Sequence, residues 1–259
     1  MKTVVCCSSV VITVLILFLA SIRLHPYYHL AKKQIIDSER MHAFHGDTLK
    51  IAFIGDSWAT YHHDYNLNLE SMLTENGLPS HVISIGNVGA KSKEIYMRLY
   101  STTRPLLKEQ PDYCVVSAGI NDAVAKLGED YFVHHYMLIL EQLLILGIKP
   151  VVLEMPEVNY HAIASREKWT MKIRHVLSSM LTGAEMYGFE SYRNALKKAI
   201  NQKGLQSRII YIHTDSWNAD GYMDARDIYL PDETHLNARG YSVLDSCISA
   251  AIVKDSLNK

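Results

Sequence analysis

The sequence predicts an α/β fold, a parallel sheet with helices on both faces, and three observations carry that expectation. Short runs rich in Val and Ile alternate along the chain with longer amphipathic stretches. Most of the short runs are apolar at consecutive positions, as strands buried on both faces are. No hairpin turn signal joins one run to the next, so the connections read as right-handed helical crossovers.

Taken in order, the strand candidates are Leu49–Ile54, His81–Ile85, Tyr113–Ser117, Pro150–Glu154 and Ile209–His213. Between and after them, helical spacing of apolar residues marks Leu67–Asn76, Ser92–Lys108, Tyr131–Leu146, Ala164–Leu181, Tyr192–Lys203 and Asn237–Val253. The stretch from Glu157 to Gly188 is longer than one crossover needs. It reads either as an extra surface helix or as a lid or side wall over a site. With no internal repeat and no low-complexity tract, one domain is expected from about residue 46 to residue 259.

Two segments precede that domain. Val4 through Ile22 carry no charge and are apolar or small throughout, which predicts a signal or membrane-anchor segment over residues 1–22. Leu19-Ala20-Ser21 lacks a clean small-x-small cleavage pattern, favouring an uncleaved transmembrane anchor. Lys2 lies on one side and Arg23, Lys32 and Lys33 on the other, so the positive-inside rule taken literally leaves the domain in the cytosol. Against that, a short apolar segment behind a single Lys usually serves export, and an extracytoplasmic domain is the expectation. Residues 23–45 are polar, with Tyr28, Ala31, Ile35 and Ile36 at near-helical spacing, and predict a partly helical stalk.

Bulk properties exclude more than they assign. A chain of 259 residues with 48% hydrophobic and 20% charged residues is an ordinary globular composition. A formal net charge of −1 supplies no basic field for a phosphate backbone, so nucleic acid is not an expected partner. Cys6 and Cys7 fall in the apolar segment, while Cys114 and Cys247 read as isolated packed thiols. Nothing resembles zinc-ligand spacing, and no metal or cofactor is expected.

Chemistry gathers at the predicted carboxyl ends of strands, where parallel sheets bind ligands. Gly55-Asp56-Ser57 ends the first strand: glycine permits a sharp turn, and Ser57 starts a helical segment with a free N–H. Alone, the tripeptide is equally a helix cap. Asn87-Val88-Gly89 and Gly119-Ile120-Asn121-Asp122 follow the second and third strands, each readable alone as a simple turn. Together they place the Ser57 and Gly89 N–H groups and the Asn121 amide around one point, the pattern of an oxyanion hole. Asp232 and His235, three residues apart, fall on one side of a helix-like turn. A carboxylate there orients an imidazole, which in turn activates a serine hydroxyl. Read alone, Asp232 behind Pro231 is also a helix start.

These four blocks, in this order, resemble the SGNH hydrolase family of GDSL-type esterases and lipases, over about Lys50 to Tyr241. The resemblance implies a three-layer α/β/α sandwich similar to flavodoxin around a mostly five-stranded parallel sheet, and metal-independent hydrolysis of acyl esters. By position it implies Ser57 as nucleophile, His235 as base and then acid, Asp232 as its orienter, and Ser57, Gly89 and Asn121 as oxyanion donors. Asp56 and Asp122 match motif positions and are expected to hold loops.

Other groups are discounted. Tyr61-His62-His63-Asp64-Tyr65 reads as ordinary surface before pocket lining or metal, His134-His135 as a helix face, and Trp58 as a packing residue. The leading expectation is an esterase removing acetyl or another short acyl group from a small ester or an acylated glycan. A lipase, lysophospholipase, thioesterase or acyltransferase of the same family, a non-catalytic binding module and a flavodoxin-like nucleotide binder are the competing readings.

Overall fold

The computed structural model describes residues 2–24, 28–34, 47–217 and 226–257. Five strands, β1 (Leu49–Gly55), β2 (Ser80–Gly86), β3 (Tyr113–Ser117), β4 (Lys149–Leu153) and β5 (Ile210–Ile212), form one sheet in the order β2-β1-β3-β4-β5. Every pairing is parallel. The expected strands are all present, their ends moved by a residue or two. β3 is buried along its whole length and β1 from Ile51 onward, which is why both read as continuous apolar runs.

The helices are α1 (Lys2–Leu24), α2 (Ser57–His62), α3 (Asn66–Glu75), α4 (Ser92–Arg98), α5 (Arg104–Lys108), α6 (Ile120–Val124), α7 (Glu129–Ile145), α8 (Tyr160–Arg166), α9 (Trp169–Thr182), α10 (Glu190–Gln202) and α11 (Ala238–Ser256). α3 packs on β2 and on α11, while α7 lies on β4 and against α4 and α10, so the sheet is the middle of three layers. Two expected helices are each broken in two. The stretch 92–108 splits because Pro105, which has no N–H, falls in the first turn of α5. The stretch 164–181 splits at Glu167 and Lys168, whose backbones are extended.

The N-terminal expectations meet a mixed outcome. α1 is one helix, with Val10, Val11, Leu15 and Leu17 exposed. Among the described residues, however, no helix is long and apolar enough to cross a membrane.

In the expected stalk, residues 30–34 are not helical. They form a strap held by outside partners: Ala31 N–H donates to His135 Nε2 (2.9 Å), Ala31 O accepts from His134 Nε2 (2.8 Å), and Gln34 N–H donates to Tyr96 Oη (2.8 Å). Backbone groups satisfied by α4 and α7 have no need of helical bonds. Residues 35–46, including Ile35 and Ile36 of the proposed helical pattern, lie outside the described residues.

Candidate active site

The site begins with strand register. Gly55 at the end of β1 stands opposite Gly86 of β2 on one side and Ser117 of β3 on the other. The loops after these three strands therefore emerge side by side, where the strand order reverses, as ligand crevices of parallel sheets do. Gly55 is required there, since a Cβ would lie 2.2 Å from the Ser117 carbonyl oxygen. Gly89, at φ 76°, occupies left-handed backbone that favours glycine.

Asp56 caps α2, its carboxylate accepting from Trp58 N–H at 3.0 Å. Ser57 is thus the first helical residue. Its N–H and that of Gly89 have no acceptor among the described residues, and the α2 N-terminus favours negative charge beside them. Asn121, in the first turn of α6, donates from Nδ2 to Ala90 O at 3.1 Å and more weakly to Asp56 Oδ2 at 3.4 Å.

The segment from Asp232 to His235 is a turn, where a helix-like start was expected. Asp232 Oδ1 accepts from the N–H groups of Thr234 and His235, both at 3.0 Å, and Glu233 takes the left-handed φ of 57°. The turn still sets both side chains on one side. His235 Nδ1 lies 2.5 Å from Asp232 Oδ2, and His235 Nε2 lies 2.9 Å from Ser57 Oγ. Burial raises the Asp232 pKa, but the bonds from the His235 ring and from the two backbone N–H groups outweigh it and hold the carboxyl below its usual range. An ionised Asp232 accepts from Nδ1–H and leaves Nε2 with a lone pair facing the hydroxyl.

Asp56 and Asp122 do hold loops. Asp122 accepts from Ser92 N–H (2.9 Å) and Ser92 Oγ (2.5 Å), tying α6 to the start of α4. Burial pushes both carboxyls up to about 7.

These groups open into a cavity of about 240 Å³, lined by Ser57, Gly89, Asn121, Asp232 and His235 and walled by Trp58, Val88, Ile120, Val124, Ile163 and Arg166. All five expected site residues thus share one cavity. Ile163 and Arg166 come from α8, so the 157–188 stretch supplies a side wall. Asn159 at the start of α8 donates its N–H to Glu233 O (3.2 Å), and Arg166 at its end donates from Nη2 to Thr234 Oγ1 (3.1 Å), fastening the helix across the turn at both ends. A larger groove of about 580 Å³ between α3 and α11 holds none of the site residues.

Two expectations outside the site change. His62 is fully buried, where surface was expected; its Nε2 meets Asp245 Oδ1 at 2.7 Å and its Nδ1 meets Ser84 Oγ at 2.8 Å, so a core polar network accounts for it. Tyr61 lies edge-on to the His235 ring at 4.9 Å and belongs to the rim. His63 is exposed. Among the described residues the one trio spaced to hold a cation is Glu154, His213 and Asp215, away from the cavity. Glu154 is already neutralised by Lys197 and accepts from Thr214 N–H, which leaves a cation little to add.

Comparison with known proteins decides the family. Residues 53–243 match the GDSL-like Lipase/Acylhydrolase family. The chain belongs to it. This GDSL-like acylhydrolase is accordingly an enzyme acting on ester bonds.

Solved structures share its fold at low identity. A lipase/acylhydrolase from Enterococcus faecalis aligns with TM-score 0.58 and 17% identity, over 80% of this chain and 96% of that one. The psychrotrophic esterase EstA from Pseudoalteromonas sp. aligns with TM-score 0.56 and 12% identity, over 83% and 100%. An acetyl xylan esterase, AlAXEase, aligns with TM-score 0.53 and 19% identity, over 80% and 99%. No curated protein matches the acylhydrolase in sequence.

Proposed function

We propose that this acylhydrolase is a serine esterase that removes acetyl or similarly short acyl groups from a carbohydrate through an acyl-serine intermediate. The observation that carries the reading is the continuous chain from Asp232 through His235 to Ser57, opening into a cavity of about 240 Å³. Cavities for drug-sized ligands run from about 300 Å³ upward, so this one suits a short acyl group and disfavours a long fatty chain.

In the cycle, Ser57 Oγ bonds to the ester carbonyl carbon as its proton passes to His235 Nε2. The oxyanion is taken up by the Ser57 and Gly89 N–H groups and by Asn121, whose 3.4 Å contact to Asp56 is the weaker of its two bonds. His235 then protonates the departing alcohol as the C–O bond breaks. Water, deprotonated by the same imidazole, attacks the acyl-serine, and Ser57 recovers its proton as the acid leaves. The carbohydrate assignment draws support from the acetyl xylan esterase among the structural relatives and from Tyr61 at the rim.

We also infer that the domain is exported and held at the membrane by its N-terminal segment, supported by the unbroken apolar run Val4–Ile22. A phosphatase or β-lactamase fused after residue 45 reports the compartment.

The deciding experiment is labelling by a fluorophosphonate probe, with reaction expected at Ser57 and lost in both Ser57→Ala and His235→Ala. Undiminished labelling of Ser57→Ala, or a strong preference for long-chain over acetyl nitrophenyl esters, overturns the proposal.

A further inference from the structure

The wall of the catalytic cavity contains one cationic side chain beside His235 that neither the triad nor the oxyanion donors use, Arg166. It ends α8, lines the cavity together with Ser57 and His235, and donates from Nη2 to Thr234 Oγ1 at 3.1 Å. The Thr234 hydroxyl itself donates to the Asp232 backbone carbonyl at 3.0 Å, which turns a lone pair toward the guanidinium. A guanidinium carries five N–H donors in a rigid fork, and this is the one bond of Arg166 among the described residues.

Its charge is also unmatched. No carboxylate among the described residues lies within ion-pair distance of Arg166. The two carboxylates lining the cavity are committed elsewhere: Asp232 to His235, and Asp56, 1% exposed, to Trp58 N–H. The remaining walls are apolar or neutral. An exposed guanidinium at the cavity wall, held by one bond and with its other donors free, is what planar anion recognition uses.

Position selects which part of an ester would carry the anion. Two of the three oxyanion donors lie on the Gly89 and Asn121 loops, whereas Arg166 is bonded to the residue next to His235. His235 must reach the departing oxygen, so its side of the cavity faces the alcohol.

We propose that Arg166 forms an anion subsite on the leaving-alcohol side, selecting esters whose alcohol carries a carboxylate or a phosphate, such as an O-acetylated acidic sugar. This assignment of substrate charge rests on the esterase reading above.

The test uses the full chain. Rates of deacetylation are compared for the methyl glycoside of O-acetylglucuronic acid and its uncharged carboxyl methyl ester, and for O-acetylglucose 6-phosphate against O-acetylglucose. The expected result is a preference in kcat/KM of about tenfold or more for one anionic member over its neutral twin. That ratio should collapse to near one in Arg166→Gln and recover partly in Arg166→Lys, which keeps the charge and loses the fork. Which pair shows the preference identifies carboxylate or phosphate. Absence of any preference, or an equal loss on charged and neutral substrates in Arg166→Gln, overturns the subsite and leaves Arg166 a positioning residue for the turn. Calorimetric binding of the same pairs to Ser57→Ala, with and without Arg166→Gln, reads the subsite without turnover. An Arg166-dependent anion preference there, combined with failure of the probe to label Ser57, sinks the esterase and leaves the anion subsite standing.

Discussion

The indole N–H of Trp58 donates to the Thr234 carbonyl at 3.2 Å, joining the residue after Ser57 to the residue before His235. Trp58 is 2% exposed and its ring packs edge-on against Trp217, so packing and alignment come from one side chain. Trp58→Phe keeps most of the ring and removes the donor. The expected outcome is a stability loss of about 1 kcal/mol by denaturant titration. A fall in kcat of about tenfold, with a smaller change in KM, should accompany it, since the two loops lose a fixed separation. Wild-type kcat in the variant would show that the bond aligns nothing.

Asn121 holds the Gly89 loop as well as facing the cavity. Asn121→Ala should lower kcat by about 10² to 10³. It should also cost about 1 kcal/mol of stability through the lost bond to Ala90 O. Steady-state kinetics on an acetyl ester and an unfolding curve separate the two effects. Intact kcat with lowered stability would confine Asn121 to holding the loop.

Asp56 and Asp122 give stability a definite pH dependence. Burial raises both pKa values from 3.8 to about 7, so the folded state holds these protons more tightly than the unfolded chain. Their stabilisation is complete below about pH 3.8 and is lost as pH rises through 7. His135 and His175 oppose this at lower pH: burial lowers both to about 4, and their contribution returns as pH rises to about 6.5. Above about pH 6.5 the aspartates dominate until Lys126, which burial lowers from 10.5 to about 8, opposes them near pH 8, so Tm should fall from about pH 6.5 to about 7.5. Asp56→Asn, an uncharged mimic, should make that decline shallower. A Tm that is level or rising over this window contradicts the assignment.

The sheet was legible because β1 and β3 bury both faces, and runs such as Ile51–Ile54 and Tyr113–Val116 carry that burial into sequence. Helix breaks were less legible, although Pro105 marked one of them. At Glu167 and Lys168 no residue type forbids a helix, and only the backbone shows the break. The groups at Ser57, Gly89, Asn121, Asp232 and His235 stood out because each lies in a short motif beside a strand or helix end. The cavity walls did not, since Ile163 and Arg166 reach the site through a crossing of α8 over the 232–235 turn that leaves no local pattern. His62 was misread for the same reason: its partner Asp245 lies 183 residues away.

Ser57 and His235 are 178 residues apart, with the proposed nucleophile in the first βα unit of the domain and its proposed base just ahead of the last helix. On the ribosome the hydroxyl is therefore made early and its base late. On the proposed mechanism, a nascent chain that ends before His235 lacks the base for Ser57 and is not expected to hydrolyse esters. On that mechanism hydrolytic activity reports completed folding of the whole domain, so an activity assay doubles as a measure of correct assembly after synthesis.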